Sequence, residues 1–550
     1  MGGASAVWAF AGMRSWGSNG KGGWRLWRQL VPIPLLGALL LAQTAGAAPL
    51  GRSEIEAALP AIEAYIDKSM RDWQTPGLAI GIVAEDELVY AKGFGIRELG
   101  GEAPVTPETV FQIGSTSKAF LGASEAMLVE DGKLRWDDRV IDHYPAFRLK
   151  DPWVTREFRI LDLLAQRSGL PAYFGTNMMV YGYDADSIIA ALAHAEPRTS
   201  FRSTFAYQNA FHLVAGRIVA RLGGAPDWAA FLKRRLLEPL GMDATSASAE
   251  GLLQAENRAS GHRFDTRTNV VDTPGPMPYN AEGAGALNSS IRDLARWLRF
   301  HINAGEIDGR QVMDGANLAK TYEPLVAITG PMLDQLRFGD QDTVTYATGW
   351  IVHSTPQGRV VEHGGGTAGF VSHIAFDPDR RFGVIVLVNQ SWNIGGGIAL
   401  PVGRYVLDRL QGRPQIDYAA RSLAGIREAV EAQRRAEDER PFRGTERPLA
   451  DYAGRYASPV LGEIDVEVGT DEGLSFTLGP QEVPVQLSRW AGDIFIATVT
   501  AAGAGGDRHT DRLRIQFLGD AQGKTDRIIW DDAGDQAGQP PFHRINATSR

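Results

Sequence analysis

The chain has 550 residues, 44% of them hydrophobic and 22% charged, an ordinary globular composition with room for one large domain and a smaller one. Its net charge of −9 lacks the basic footprint of a nucleic-acid binder. It has no cysteine, so disulfides, thiolate nucleophiles and cysteine metal sites are excluded.

The N-terminal segment carries Arg14, Lys21, Arg25 and Arg28 and no acidic residue before the apolar run Leu30 to Ala42. Ala45 and Ala47 follow in A-x-A spacing. This order reads as a signal peptide over residues 1–47. The apolar run is short for a membrane span of about 20 residues. The expectation is an exported, periplasmic or secreted protein with no stable membrane insertion once the segment is removed.

Residues 48–414 read as one α+β domain. Ser53 and Glu56 suggest a capping box before a helix carrying Ile62 and Tyr65. Residues 78–95 read as two strands around Glu85-Asp86. Helical stretches follow to about residue 350, one of them opened by a capping box at Ser290 and Asp293. Short apolar strands return at 345–390, and the helix VGRYVLDRL closes the domain. Strands at both ends with helices between imply one sheet that joins the two ends. The charged segment 415–444 reads as a helical linker. Residues 445–550 alternate apolar and polar positions between Gly/Asp turns, as a small all-β barrel does.

Three stretches carry the chemistry. In VVEHGGGTAGF (360–370), Gly364, Gly366 and Gly369 satisfy G-x-G-x-x-G, but a dinucleotide turn needs a helix after the glycines. Here FVSHIAF follows, which reads as a strand, so the nucleotide reading is rejected. In VFQIGSTSKAFLGASEAML (110–128), Ser115 and Lys118 are three apart, which puts both on one face of a helix. Phe120, Leu121, Met127 and Leu128 supply a buried stripe. A serine at a helix N-terminus feels the positive end of the dipole, and a buried lysine beside it can take its proton. Taken alone, S-x-x-K recurs by chance, and a helix N-cap followed by a surface lysine explains it better. In FAYQNAFHLVAGRI (205–218), Tyr207 and Asn209 precede a helix. A tyrosine near an ammonium has its phenolate favoured and can act as a general base; a packed aromatic and an N-cap asparagine is the plainer account.

In this order, S-x-x-K, Y-x-N and H-G-G resemble the motifs of the serine β-lactamase-like superfamily. The resemblance is greatest to class C β-lactamases and to the related D-alanyl-D-alanine carboxypeptidases, D-aminopeptidases and carboxylesterases. LLAQRSGLP (163–171) and LLEPLGM (236–242) look like further landmarks, and the likeness covers roughly residues 50–410. The C-terminal module resembles the lipocalin-like barrel often appended to these proteins.

The resemblance implies a β-lactamase-like fold, an antiparallel sheet flanked by helices with a helical subdomain. It also implies an acyl-enzyme route that needs no metal or cofactor. Ser115 would be the nucleophile, Tyr207 with Lys118 the proton-transfer pair, and Asn209 would orient the substrate or Lys118. The N–H groups of Ser115 and Gly366 would form the oxyanion hole, and His363, Gly364 and Gly365 would wall the substrate site. The substrate would be a small molecule or peptide: an ester, a D-amino-acid peptide or a related amide. A true β-lactamase or a catalytically silent penicillin-binding protein are the alternatives. Two positions depart from the pattern. His363 stands where the lactamases carry lysine, and Gln166 where many relatives carry histidine. The ten histidines show no metal-ligand spacing.

Overall fold

The computed structural model describes residues 48–550 except 267–269, 274–278, 340–341, 393–395, 439–446, 470–472, 503–507, 531–537 and 546–550. The expected signal segment, 1–47, lies outside the described residues.

Helix α1 spans Arg52–Trp73. Its N-cap is Gly51 rather than Ser53, because the Glu54 carboxylate accepts from the Gly51 N–H at 3.0 Å. An acidic group inside the first turn thus satisfies a donor that the expected serine cap leaves alone. Strands β1 (Gly77–Ala84) and β2 (Glu87–Gly95) follow as a hairpin. The two turn residues are those expected, Glu85 and Asp86, at φ of 51° and 59°, the positive values a tight two-residue hairpin turn needs.

The remaining sheet strands are β3 (Val326–Ala327), β4 (Thr343–Tyr346), β5 (Ile351–Thr355), β6 (Gly358–Thr367), β7 (Phe370–Asp377) and β8 (Phe382–Val388). They form one eight-stranded sheet in the order β2-β1-β8-β7-β6-β5-β4-β3, with every neighbour antiparallel. Leu78 pairs with Val388, so the sheet joins the two ends of the domain as expected.

Strand β1 is buried along its whole length because both of its faces are covered. Leu78, Ile80, Ile82 and Ala84 pack with α1 and with helix α5 (Ala399–Leu410). Ala79 and Val83 face the other way, into the cluster that holds helix α4 (Ile291–Ile302). Each large aliphatic side chain buried this way contributes about 1.5–3 kcal/mol. Ser290 caps α4 as expected, accepting from Asp293 N at 3.2 Å. Asp293 itself accepts from Thr245 Oγ1 at 2.7 Å, and so ties the helix to a neighbouring loop. Two more helices, α2 (Ser117–Glu130) and α3 (Ala210–Gly223), lie between the strand groups.

The segment expected to link the two regions contains helix α6 (Tyr418–Asp438). Its first turn is anchored: Trp73 Nε1 donates to Ala419 O at 3.1 Å, and Ala419 N donates to Tyr65 Oη at 2.8 Å. Beyond it, eight antiparallel strands from Gly454–Ser458 to Phe542–Arg544 close into a barrel. Side chains fill its interior. The rings of Tyr452, Phe495 and Phe517 meet at centroid distances of 5.1, 4.9 and 5.3 Å. Among the described residues, no helix is long and apolar enough to cross a membrane.

Candidate active site

Ser115 sits in a single 3-10 turn, Gly114–Thr116, that feeds directly into α2. The turn is held from three sides. Ile113 N donates to Leu287 O at 2.9 Å. Ser117 Oγ donates to Gly114 O at 2.7 Å. Ser372 Oγ, on β7, donates to Ile113 O at 2.7 Å and lies 2.8 Å from Thr116 Oγ1. Gly114 has φ +51°, and its α-carbon faces Gly366: a methyl group there would lie 2.8 Å from Gly366 N. The residue before the candidate nucleophile must therefore be glycine, for conformation and for space.

Lys118 lies one turn after Ser115, at the start of α2, and is fully buried, so the surface-lysine account fails. Its Nζ lies 3.1 Å from Ser115 Oγ and donates to Ala284 O at 2.5 Å. It also lies 4.9 Å from the centre of the Tyr207 ring. Burial pulls the Lys118 ammonium well below the usual lysine range. Tyr207 is 8% exposed. Burial pushes its phenol well up, outweighing the opposing effect of a hydrogen bond with Ser115. The sequence suggested a phenolate favoured by a nearby ammonium. The buried site opposes this: desolvation penalises both charges, lowering the pKa of the amine and raising that of the phenol.

Asn209 is the N-cap residue of α3 but makes no capping bond. Its Nδ2 donates to Thr176 Oγ1 at 3.1 Å, and its buried Oδ1 has no partner among the described residues. That oxygen offers an acceptor.

His363 lies on β6, buried, with Nε2 3.0 Å from Tyr346 Oη and Nδ1 2.6 Å from Gly364 O. Burial, then the neighbouring Lys118, pull its pKa down to about 3. The imidazole is neutral: Nδ1–H donates to the carbonyl and Nε2 accepts from the tyrosine. Of the three glycines after it, Gly365 is the sterically restricted one, since a methyl group there would sit 1.9 Å from Ile113 O. Gly366 opens onto space, with nothing within 4 Å of an added methyl. Gly365 therefore brings β6 against the Ser115 turn, and Gly366 keeps its amide clear beside it.

Sequence reasoning missed Tyr346, Tyr173 and the purpose of Gln166. Tyr346 stands edge-on to Tyr207 at 6.3 Å and bonds His363. Tyr173 donates its N–H to Tyr207 O at 2.6 Å and packs its ring 5.2 Å away. Neither lies in a motif, and only the fold makes them neighbours. Gln166 has φ +57°. Its Oε1 accepts from Gln208 N at 2.5 Å, its Nε2 donates to Gln208 O at 3.1 Å, and its own carbonyl accepts from Ala206 N at 2.8 Å. It brackets Tyr207 from both sides in sequence. Among the described residues, no group of three or more His, Asp or Glu side chains is arranged to hold a metal ion.

Comparison with known proteins gives the following. The model of the Beta-lactamase family matches residues 62–398, and that of a domain of unknown function, DUF3471, matches 440–544. Unguisins hydrolase ungD of Aspergillus violaceofuscus is 25% identical over 474 residues, covering 80% of this chain and 83% of that protein. Protein flp of Staphylococcus aureus is 24% identical over 330 residues, covering 60% of this chain and 62% of flp, so the chain matches less than two thirds of flp. The octameric penicillin-binding protein homologue from Pyrococcus abyssi has a TM-score of 0.57 at 23% identity, over 88% of this chain and 99% of that one. This last likeness is one of fold.

Proposed function

The chain belongs to the Beta-lactamase family of serine hydrolases, and on that premise we propose that it cleaves esters, D-amino-acid peptides or related amides through an acyl-enzyme on Ser115. The observation that carries the proposal is the 3.1 Å contact between Ser115 Oγ and a lysine whose burial favours the neutral amine. A neutral amine has a lone pair for the Ser115 proton, which an ammonium lacks. As Ser115 Oγ attacks the carbonyl, Lys118 Nζ takes that proton. The Tyr207 O–H gives a proton to the leaving group, and Lys118 restores it. The Ser115 and Gly366 amides hold the oxyanion. Collapse releases the alcohol or amine, and water then repeats the sequence on the acyl-enzyme.

The substrate class rests on charge and on one vacant acceptor. A lactamase gains from a fixed cation at the position of His363, because it must hold a desolvated carboxylate. Here the imidazole is neutral. The unpartnered Asn209 Oδ1 suits a substrate N–H. Cephalosporins should therefore be poor substrates. The basic, apolar and small-residue order of segment 1–47 supports export.

The test is fluorophosphonate labelling followed by intact-mass and peptide analysis. One adduct is expected on the peptide containing Ser115, and none in Ser115→Ala. Labelling that survives this substitution would end the proposal. Comparing kcat/KM for p-nitrophenyl butyrate and nitrocefin tests the substrate class. Efficient nitrocefin hydrolysis with negligible ester turnover would make the protein a true β-lactamase, and labelling without any turnover would make it a silent penicillin-binding relative.

A further inference from the structure

The segment Pro171–Tyr183 touches the candidate site with one end and the C-terminal barrel with the other. At the site end, Tyr173 donates its N–H to Tyr207 O and packs its ring, tilted, 5.2 Å from that of Tyr207, and Thr176 Oγ1 holds the Asn209 amide. Tyr173 has φ +61°, a strained conformation for a non-glycine residue that persists only where the surroundings impose it.

The barrel end is equally specific. Tyr183 Oη donates to Leu461 O at 2.7 Å. Gln481 N donates to Tyr181 O at 3.4 Å. Gly479 has φ +71°, and a methyl group there would lie 2.5 Å from Tyr181 O. Gly182 is matched in turn: a methyl on it would lie 2.4 Å from Gln481 Cγ. The apolar core runs through this contact without a break, from Phe174, Met178 and Tyr181 into Val460, Leu461 and Leu478. The barrel interior is filled by its own aromatic rings, so its contribution comes through its rim.

We propose that the C-terminal barrel sets the acyl-group selectivity of the hydrolase, by holding the 171–183 segment so that Tyr173 and Thr176 bound the space beside Tyr207 and Asn209. The proposal rests on the acyl-enzyme reading above. The substrates it sorts differ in the bulk of the apolar group next to the reacting carbonyl. Tyr173 is a specificity-determining residue, and Tyr183 and Gly479 act on it from the barrel contact.

Three variants test this: Gly479→Ala, Tyr183→Phe and, as a control, Gly492→Ala. Gly492 is also a barrel turn glycine with positive φ, at +55°, but nothing lies within 4 Å of an added methyl. It imposes a like backbone strain without the collision. Two readouts are taken on the full chain: hydrogen exchange of peptides covering 171–183 and 205–209, and the ratio of kcat/KM for p-nitrophenyl octanoate to that for p-nitrophenyl acetate.

Gly479→Ala should raise exchange in both peptides and shift the ratio by about tenfold, the low end of what a pocket change of one methylene gives. Tyr183→Phe, which keeps the ring and removes one hydrogen bond, should shift it in the same direction and by less. Gly492→Ala should leave the ratio unchanged, even if its melting temperature falls equally. A ratio constant within about twofold in the first two variants overturns the proposal, because one methylene is worth more than that. So does unchanged exchange in 171–183. If the wild type takes no fluorophosphonate label and turns over neither ester, the acyl-enzyme reading fails; the exchange data still decide whether the barrel holds the segment.

Discussion

Lys118 is fully buried, and that decides how activity should follow pH. Its pKa is depressed, so the working amine appears as pH rises through that lowered value and is lost on acidification. kcat/KM should fall on the acid side with one group titrating well below the usual lysine range. His363, at about 3, should contribute nothing between pH 5 and 8. Lys118→Arg keeps the charge but cannot give up its proton. It should cost on the order of 10²–10⁴ in kcat, the usual worth of a general base, and abolish the acid limb; an unchanged limb would assign it to another group. Tyr207→Phe and Lys118→Ala should each be severe, and the double variant little worse, because residues that act as a unit are not additive. Fully multiplicative losses would separate their roles. Gln166 can be tested in the same way. Gln166→Ala removes both clamps on Gln208 and should lower kcat by about 10- to 100-fold, as sub-ångström misplacement of a reacting group does, with KM little changed. Ser115, Lys118, Tyr207 and His363 could be singled out as candidates because each lies in a short motif. Their charge states were not, since the burial comes from segments as distant as Ala284.

Strand β6 carries two functions on its two faces. His363 points to the candidate site. Its neighbour Glu362 points the other way and is buried among His353, His373 and Arg404, at 2.9, 2.9 and 3.1 Å. Burial opposes the Glu362 charge, but Arg404 and the His353 contact hold its carboxyl well below the usual range. The cluster ties β5, β6, β7 and α5 together behind the glycines. Glu362→Leu leaves the Arg404 guanidinium buried without its carboxylate and should destabilise the fold by about 3–5 kcal/mol, read by chemical denaturation. A loss below about 1 kcal/mol, the size of an exposed pair, would show the cluster to be solvated. The glycines should separate by position. Gly365→Ala collides with the Ile113 carbonyl and should lower both stability and labelling of Ser115. Gly366→Ala should fold normally and lose kcat, by up to the 10²–10³ that one oxyanion donor is worth. Equal melting temperatures for the two would contradict this placement. The strand and its glycines were legible from pattern. The unequal demands on Gly365 and Gly366 were not, because the opposing atom belongs to residue 113.

At the scale of the molecule, the alternation of short strands revealed the sheet and the barrel, and the return of strands at 345–390 revealed that the sheet spans both ends. Composition was silent on how the joint packs. The segment read as a helical linker holds α6, and its Ala419 and Leu423 are buried against α1 and α5. A few apolar contacts at a helix start leave little compositional trace. The barrel's grip on 171–183 was equally hidden, since it depends on two turn glycines and a tyrosine in unrelated segments. Ending the chain near Gln415 should therefore do more than remove an appendage. The truncated protein should expose the Trp73 and Tyr65 side of α1 and melt at a lower temperature. An unchanged melting temperature and substrate range would make α6 and the barrel dispensable to the hydrolase.

The pairing of Leu78 with Val388 also sets a timetable. Strand β1 leaves the ribosome early, with Leu78, Ile80 and Ile82 on one face and no partner but the short hairpin β2. Its second neighbour, β8, is among the last parts of the sheet to be made. At about 5–20 residues per second, the wait is on the order of tens of seconds. Throughout it, the strand that later anchors the whole sheet is an apolar segment with an open edge, and the Ser115 turn has no β6 to rest on. The nascent chain should thus depend on a chaperone that shields β1. It should acquire nucleophilic reactivity in a single late step, once residues beyond 388 have been made, rather than gradually as the helices form.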